Sequence, residues 1–316
     1  MNILVTGGAG FIGSHIVDQF VREGHRVSVI DDLSAGKRKQ VHRDAVFYKL
    51  NVCSAQVEQV VKQERPLVIV HMAAQMNVRK STEDPVFDAK VNIMGTLGLL
   101  ELAVRYGARK ILFASSGGTV YGEQEAFPAT ESHPTRPLSP YGVSKLTCEY
   151  YLEYYRRVAG LKYVALRLAN IYGPRQNADG EAGVVAIFAR KMLTGEQPRI
   201  NGNGFQTRDY VYVGDVVEAV RAVFAPSVEG IFNVGTGIET AVNEIFTRLK
   251  ELTNSQCREI HGPAKKGEQT RSVLDPGKLE KETAWTHNVS LSEGLDETVR
   301  FFQQQKRRGR KPALPR

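Results

Sequence analysis

Apolar positions in the first half of the chain recur with two alternating periods. Residues 2–6 form a short apolar run, residues 11–23 repeat hydrophobics at helical spacing, and residues 26–30 are again apolar and β-branched. Further runs at 67–70, 110–114 and 163–168 predict strands, and helical patterns at 54–64, 86–106 and 141–159 fill the intervals. Strand and helix in alternation predict right-handed βαβ crossovers, hence an α/β fold with a doubly wound parallel sheet and helices on both faces.

After Gly173 the rhythm changes. Residues 174–210 are rich in Gly, Asn, Pro and charge around one helical pattern at 184–194. Strand-like residues 210–213, a helix at 216–224 and a strand at 231–234 are expected to return to the first sheet. Residues 239–305 read as a small mixed cap with helices near 242–252 and 292–305. The expected organisation is therefore a dinucleotide domain over 1–173, rejoined by 210–235. A smaller mixed α/β substrate cap follows from 174–209 and 236–305, with a basic tail at 306–316. No internal repeat interrupts this plan.

Composition narrows the class. A chain of 316 residues can bury a large core, so neither disulfides nor a structural metal is required. No apolar run approaches the ~20 residues that span a bilayer, and the N-terminus enters a strand without a signal-peptide pattern, so no membrane partner is expected. Cys53, Cys148 and Cys257 are widely spaced and odd in number, which argues against a disulfide framework or a metal site and suits the cytoplasm. The net charge of +8 suggests nucleic acid at first sight, but six of the basic residues lie in the last eleven positions. Such a tail reads as a solvated, frayed end, with a binding arm as the alternative; no nucleic-acid partner is expected.

The segment Thr6-Gly7-Gly8-Ala9-Gly10-Phe11-Ile12-Gly13 follows the first strand and opens the first helix. Gly7, Gly10 and Gly13 allow a tight turn, close approach of a pyrophosphate and close helix–sheet packing, while the helix N-terminus, with Phe11 and Ile12, presents amides to phosphate. Asp31 stands 18 residues past Gly13 at the end of the second strand, followed by Asp32. A carboxylate there accepts adenosine ribose hydroxyls and repels a 2′-phosphate, so NAD is expected over NADP; a turn-forming Asp pair is the plain alternative. The arrangement is that of a Rossmann-type sheet.

Tyr141 and Lys145 are four residues apart at a predicted helix start and so share a face, with Pro140 suiting that start. A tyrosine titrates near 10; acting as a base near pH 7 means losing about three units, ~4 kcal/mol. A neighbouring ammonium and a cationic nicotinamide both favour the phenolate. Taken alone, the pair reads equally as a surface pair.

Together these features resemble the extended short-chain dehydrogenase/reductases, and within them the UDP-galactose 4-epimerase group. The resemblance covers about residues 1–305. Besides the glycine segment it rests on His71-Met72-Ala73-Ala74-Gln75 and on Ser115-Ser116-Gly117-Gly118-Thr119-Val120-Tyr121-Gly122. It also rests on Ser139-Pro140-Tyr141-Gly142-Val143-Ser144-Lys145, Arg167-Leu168-Ala169-Asn170-Ile171-Tyr172-Gly173-Pro174 and Arg208-Asp209-Tyr210-Val211-Tyr212-Val213. The resemblance implies that Tyr141 is the acid/base at the sugar 4-hydroxyl and that Lys145 tunes it and holds the nicotinamide ribose. It implies that a hydroxyl of the 115–119 segment, Ser116 or alternatively Thr119, bonds the reacting oxygen; a strand-end cap is the plain reading of either. Ala73, Ala74, Asn92 and Ser115 would line the cofactor, and Gln75 the substrate. Asn170 would meet the nucleotide diphosphate and Arg208 would pair with its phosphates, unless Arg208 is simply an ion-pair partner of Asp209 or Asp215.

Two departures from the family pattern stand out. Asn51 replaces the acidic residue usual beside adenine, and Lys265 replaces the second diphosphate arginine, giving charge without the bidentate fork. Ser272 falls at the position beside the sugar, where a small side chain leaves room for an N-acetyl group.

Within the resemblance, 4,6-dehydratases carry an Asp-Glu pair where this chain has Gly117-Gly118, so no acid is in place to eliminate water. The expected activity is therefore an NAD-dependent UDP-hexose 4-epimerase acting through a transient 4-keto sugar, with a UDP-sugar as partner and a homodimer through helices 86–106 and 141–159. The alternatives are a 4-epimerase of a UDP-N-acetylhexosamine or UDP-uronic acid, and a non-catalytic dinucleotide-sensing regulator. Regulators of this type typically lose the Tyr–Lys pair, which this chain keeps.

Overall fold

The structure is a computed structural model that describes residues 1–179, 183–264 and 269–309. Seven parallel strands form the central sheet in the spatial order Gly230–Val234, Lys162–Leu168, Lys110–Ser116, Val68–His71, Asn2–Thr6, Arg26–Asp31, Val46–Lys49. The chain leaves Asn2–Thr6 in one direction and resumes on its other side at Val68–His71. That reversal opens a crevice at the carboxyl ends of these two strands, where doubly wound sheets bind ligands.

Alternation along the strands sorts the core into two layers. Ile3, Val5 and Val29 pack with Ile16 and Phe20 of helix Phe11–Arg22 and with Val216 and Val220 of helix Val213–Ala222. Leu4, Ile30, Ile69 and Phe113 face the other way, onto helices Val57–Glu64, Gly95–Arg105 and Pro140–Ala159. Both faces are covered, so the strands read as continuous apolar runs. A third cluster joins helices Val184–Thr194, Val242–Thr253 and Leu291–Gly309 through Phe188, Phe246 and Phe302. Short strands link this cap to the crevice: Thr207–Arg208 lies between Thr240–Ala241 and Arg271–Ser272.

The structure departs from the sequence reading in four places. Strand Tyr210–Tyr212 does not rejoin the main sheet; it pairs with Asn170–Tyr172 in a separate two-stranded sheet, and only Gly230–Val234 returns. Val46–Lys49, overlooked in the sequence although Val46, Phe47 and Tyr48 make a short β-prone run, is the partly exposed edge strand. The helix expected over 86–106 is broken into Pro85–Ala89, a π-helical turn Lys90–Met94 and Gly95–Arg105. The last helix continues through residue 309 into the basic tail, where the Lys306 ammonium donates to the Leu193 carbonyl. Residues 310–316 lie outside the described residues.

Candidate active site

The glycine segment is shaped by what its backbone must approach. Gly7 has φ +71°, and a Cβ there would sit 2.7 Å from the Ala73 amide nitrogen. A Cβ on Gly13 would fall 2.2 Å from the Gly7 carbonyl oxygen, so the helix can lie this close only without a side chain. The Gly10 amide donates to the Gly7 carbonyl (3.0 Å), closing the turn. No side chain caps the helix that starts at Phe11, which leaves its first-turn amides available to an anion. These are the requirements of a pyrophosphate cradle, and a dinucleotide fits them.

The acidic pair closes the adenosine side. The Asp31 carboxylate accepts the Ala9 amide (2.9 Å) and the Leu33 amide (2.8 Å), tying the second strand to the glycine turn. Burial raises its pKa, against the lowering effect of those two amides. Asp32 accepts the Asn51 side-chain amide at 2.8 Å, and the Asn51 carbonyl oxygen in turn accepts the Cys53 amide. Asn51 therefore stands beside the acid pair at the end of the edge strand.

On the other wall, His71 is a fixed strut. Its ring nitrogens lie 2.6 Å from Thr6 Oγ1 and 3.0 Å from Thr96 Oγ1, and burial pushes its pKa down to about 3. It stays neutral near pH 7 and serves no proton transfer. Thr6 Oγ1 also accepts the Ala73 amide (3.3 Å), which sets the path of Ala73 and Ala74 past Gly7.

The Tyr–Lys pair sits on the first turns of Pro140–Ala159. Ser139 accepts the Gly142 amide (3.2 Å), Pro140 occupies the first turn, and Gly160 at φ +68° ends the helix. Ser81 Oγ additionally accepts the Tyr141 amide at 3.2 Å. Lys145 is buried; its ammonium donates to the Ala114 carbonyl (2.7 Å) and lies 4.6 Å from the Phe113 ring centre and 5.6 Å from that of Tyr141. Desolvation lowers its pKa to about 8. Burial first, then the Asp88 charge, pushes the Tyr141 phenol above its ordinary value of 10. A Cβ on Gly142 would come 2.8 Å from the Thr119 carbonyl, so the helix start abuts the short turn Gly117–Val120 that carries the hydroxyl candidates.

Those hydroxyls divide by strand alternation. Ser115 is buried, and its hydroxyl donates to the Glu149 carboxylate at 2.5 Å, away from the crevice. Ser116 ends the strand half-buried, and Thr119 Oγ1 lies 3.5 Å from the Ser116 carbonyl. Asn92 also turns inward. Its amide oxygen accepts the Gln75 backbone N–H (2.9 Å), and its amide nitrogen donates to the Gln75 carbonyl (2.9 Å) and to Asp88 (3.0 Å). The Gln75 side chain binds Asn77 and Asp88. Both residues hold the cofactor-side loop in place through contacts within the protein.

The diphosphate candidates meet on the cap side. Arg208 pairs in register with Ser272 and Thr240, so the three share a face, and Ser272 is buried. The Asp209 carboxylate accepts the Thr236, Gly237 and Leu274 amides and the Thr236 hydroxyl. Asp215 accepts the Asn288 and Val289 amides. Backbone amides thus occupy both carboxylates, and the Thr236 hydroxyl also bonds Asp209. Asn170 lies opposite Tyr210. Lys265 lies outside the described residues. No metal-binding group of His, Cys, Asp or Glu occurs among the described residues, and no described helix is long and apolar enough to cross a membrane.

Sequence reasoning missed Asp88, Ser144 and the Glu149–Arg167 pair. Asp88 and Asn92 are four residues apart, a spacing that reads as one helix face. The two side chains do meet, the Asn92 amide donating to Asp88 at 3.0 Å, although the helix takes a π turn there.

Comparison with known proteins agrees with this geometry. The model of the NAD dependent epimerase/dehydratase family matches residues 3–235. The chain is 42% identical over 308 residues to the UDP-glucose 4-epimerase of Mycolicibacterium smegmatis, covering 96% of this chain and 98% of that one. The Thermotoga maritima UDP-glucose 4-epimerase, solved with UDP-glucose, superposes with a TM-score of 0.95 at 46% identity, covering 97% of this chain and 100% of that chain. The Thermus thermophilus UDP-glucose 4-epimerase, solved in complex with NAD, gives a TM-score of 0.91 at 44% identity, covering 96% of this chain and 99% of that chain.

Proposed function

The chain belongs to the NAD-dependent epimerase/dehydratase family, and we propose that it interconverts UDP-glucose and UDP-galactose, with Tyr141 as acid/base. The half-buried Tyr141 beside the buried Lys145, together with the glycine cradle for a dinucleotide, carries this reading. The glycine cradle and Asp31 would hold NAD, which would supply the hydride acceptor and donor for the sugar C4. Tyr141 takes the proton of the 4-hydroxyl as the C4–H bond breaks and gives it back to the 4-keto oxygen when C4 is reduced in the opposite configuration. Lys145 supplies the fixed positive charge that favours the phenolate. Ser116, or Thr119 beside it, bonds the reacting oxygen, and Arg208 with Asn170 holds the diphosphate. Gly117-Gly118 places no acid to eliminate water, so the 4-keto sugar returns to a 4-hydroxyl.

The test is incubation of the purified protein with UDP-galactose and no added NAD, followed by NMR. UDP-glucose should accumulate to an equilibrium mixture. No conversion even with NAD supplied would reject this sugar pair and move the same site to UDP-N-acetylhexosamines or UDP-uronic acids.

We infer two further properties. The outer face of Pro140–Ala159 exposes Val143, Tyr150, Tyr154 and Val158, and Val86 and Met94 are exposed in the neighbouring helical segments. Such apolar exposure fits a homodimer packed through these helices. Sedimentation equilibrium should return about twice the 35.1 kDa chain mass; a monomer at micromolar concentration would reject it. The three unpaired cysteines suit the reducing cytoplasm, which cell fractionation checks.

A further inference from the structure

Asp88 is fully buried on the short helix Pro85–Ala89, without a role in the reading given above. One carboxylate oxygen accepts the Gln75 side-chain amide (2.9 Å) and the Asn92 side-chain amide (3.0 Å). The other accepts the Ser144 hydroxyl at 2.7 Å. Three neutral donors from three elements thus converge on one buried negative charge: the loop that passes the glycine turn, the π-helical turn, and the helix that carries Tyr141 and Lys145.

A carboxylate chosen only to hold these elements together would be an expensive solution. A neutral amide offers comparable hydrogen bonds without the cost of burying a charge. The other charged groups of the surrounding elements do not offset it at close range. On the adjoining helix Arg79, Lys80 and Glu83 are exposed, as are Asp84 at its end and Lys90 in the π turn. On the catalytic helix Glu149 is paired with Arg167, and Cys148 is a buried thiol whose Sγ donates to the Asn92 carbonyl. The Asp88 charge acts on Lys145 and Tyr141, and on the Cys148 thiol, whose pKa is raised by burial and by this charge.

We propose that Asp88 is a positioning residue of the Tyr141–Lys145 pair, its buried carboxylate locking the catalytic helix to the cofactor-side loop while setting a negative field on both side chains. The field favours the ammonium of Lys145 and disfavours the phenolate of Tyr141. The phenol therefore stays protonated with Lys145 alone beside it, and the second positive charge that an oxidised nicotinamide would add confines base strength to the loaded site. The inference rests on the assignment of Tyr141 as the acid/base.

Asp88→Asn tests it, because the amide oxygen can keep both amide donors while the Ser144 hydroxyl rotates to accept from the new NH2. Removing the charge lowers the pKa of phenol and ammonium alike. Both limbs of the pH profile of turnover should move to lower pH by about one unit. Ser144→Ala leaves the charge and removes one bond; it should reduce kcat several-fold with both limbs in place. A readout independent of turnover is the 13Cζ resonance of Tyr141 in tyrosine-labelled holoenzyme, assigned by its loss in Tyr141→Phe, which should titrate at lower pH in Asp88→Asn. An unmoved profile and an unmoved resonance in folded Asp88→Asn would overturn the proposal. Should that variant not fold, Asp88→Thr, an uncharged acceptor, carries the same test. Retained turnover in Tyr141→Phe would instead reject the acid/base assignment, a distinct outcome.

Discussion

Tyr141→Phe should cost at least about a thousandfold in turnover while the protein stays folded with NAD bound. The substitution removes one oxygen and keeps the ring, so the helix start capped by Ser139 and the Ser81 bond to the residue 141 amide both persist. What disappears is the phenolic oxygen beside Lys145 on that helix face. Positioned acid–base catalysis contributes about 10²–10⁴-fold, and the buried groups His71 and Asp88 do not replace it. His71 is neutral and bonded on both ring nitrogens, and Asp88 spends its oxygens on three donors. The pH dependence follows from the same surroundings. Burial and the Asp88 charge raise the Tyr141 pKa, so the phenol is the resting form near pH 7, and activity should fall on the acid side as the phenolate is protonated. Initial rates from UDP-galactose, with bound NAD measured by absorbance after denaturation, check both halves. Turnover above about a tenth of wild type would remove Tyr141 from the chemistry.

How much of this was legible in the sequence depends on what kind of signal each part leaves. The inner strands of the central sheet are buried on both faces, and continuous apolar runs marked six of the seven; the run Val46-Phe47-Tyr48 of the half-exposed edge strand is short and was passed over. The glycine segment was legible because its spacing is local: Gly13 is forced by the Gly7 carbonyl six residues before it, although Gly7 itself is forced by the distant backbone of Ala73. Tyr141 and Lys145 share a helix face, and four-residue spacing reveals that directly. Contacts across long sequence separation leave no such trace. Asp88 reaches Ser144 across 56 positions, and Arg167 reaches Glu149 from a different element. The π turn at Lys90–Met94 is a local departure from the uniform helix that the spacing predicts. Asn92 was expected to look at the cofactor. It looks inward because the turn aims its amide at Gln75 and Asp88. Strand parity likewise separates Ser115, bonded to Glu149, from Ser116 at the strand's end.

The Glu149–Arg167 pair should be the costliest polar contact to break. Both side chains are almost wholly buried, at 3% and 4% exposure, so neither charge can turn to water when its partner is lost. Arg167 donates through Nη2 to Glu149 at 2.6 Å and through Nε at 3.1 Å, a bidentate geometry, and through Nη1 to the Tyr121 hydroxyl at 2.9 Å. Tyr121 passes the chain on to Asn233, which donates to the Ala129 and Asp275 carbonyls. The network therefore joins the catalytic helix and its strand to the segments that lead into the cap. Arg167→Met leaves the Glu149 carboxylate buried with only the Ser115 hydroxyl and should cost about 3–5 kcal/mol. If the loss is an unpaired charge rather than lost packing, removing the second charge should relieve it. Arg167→Met with Glu149→Leu should recover at least about 2 kcal/mol of that loss. Urea unfolding of the wild type, both single variants and the double variant closes the cycle. A single-variant cost below about 1 kcal/mol, or a double variant no better than Arg167→Met, would show that water or rearrangement rescues Glu149 and that the pair does not hold cap and catalytic helix together.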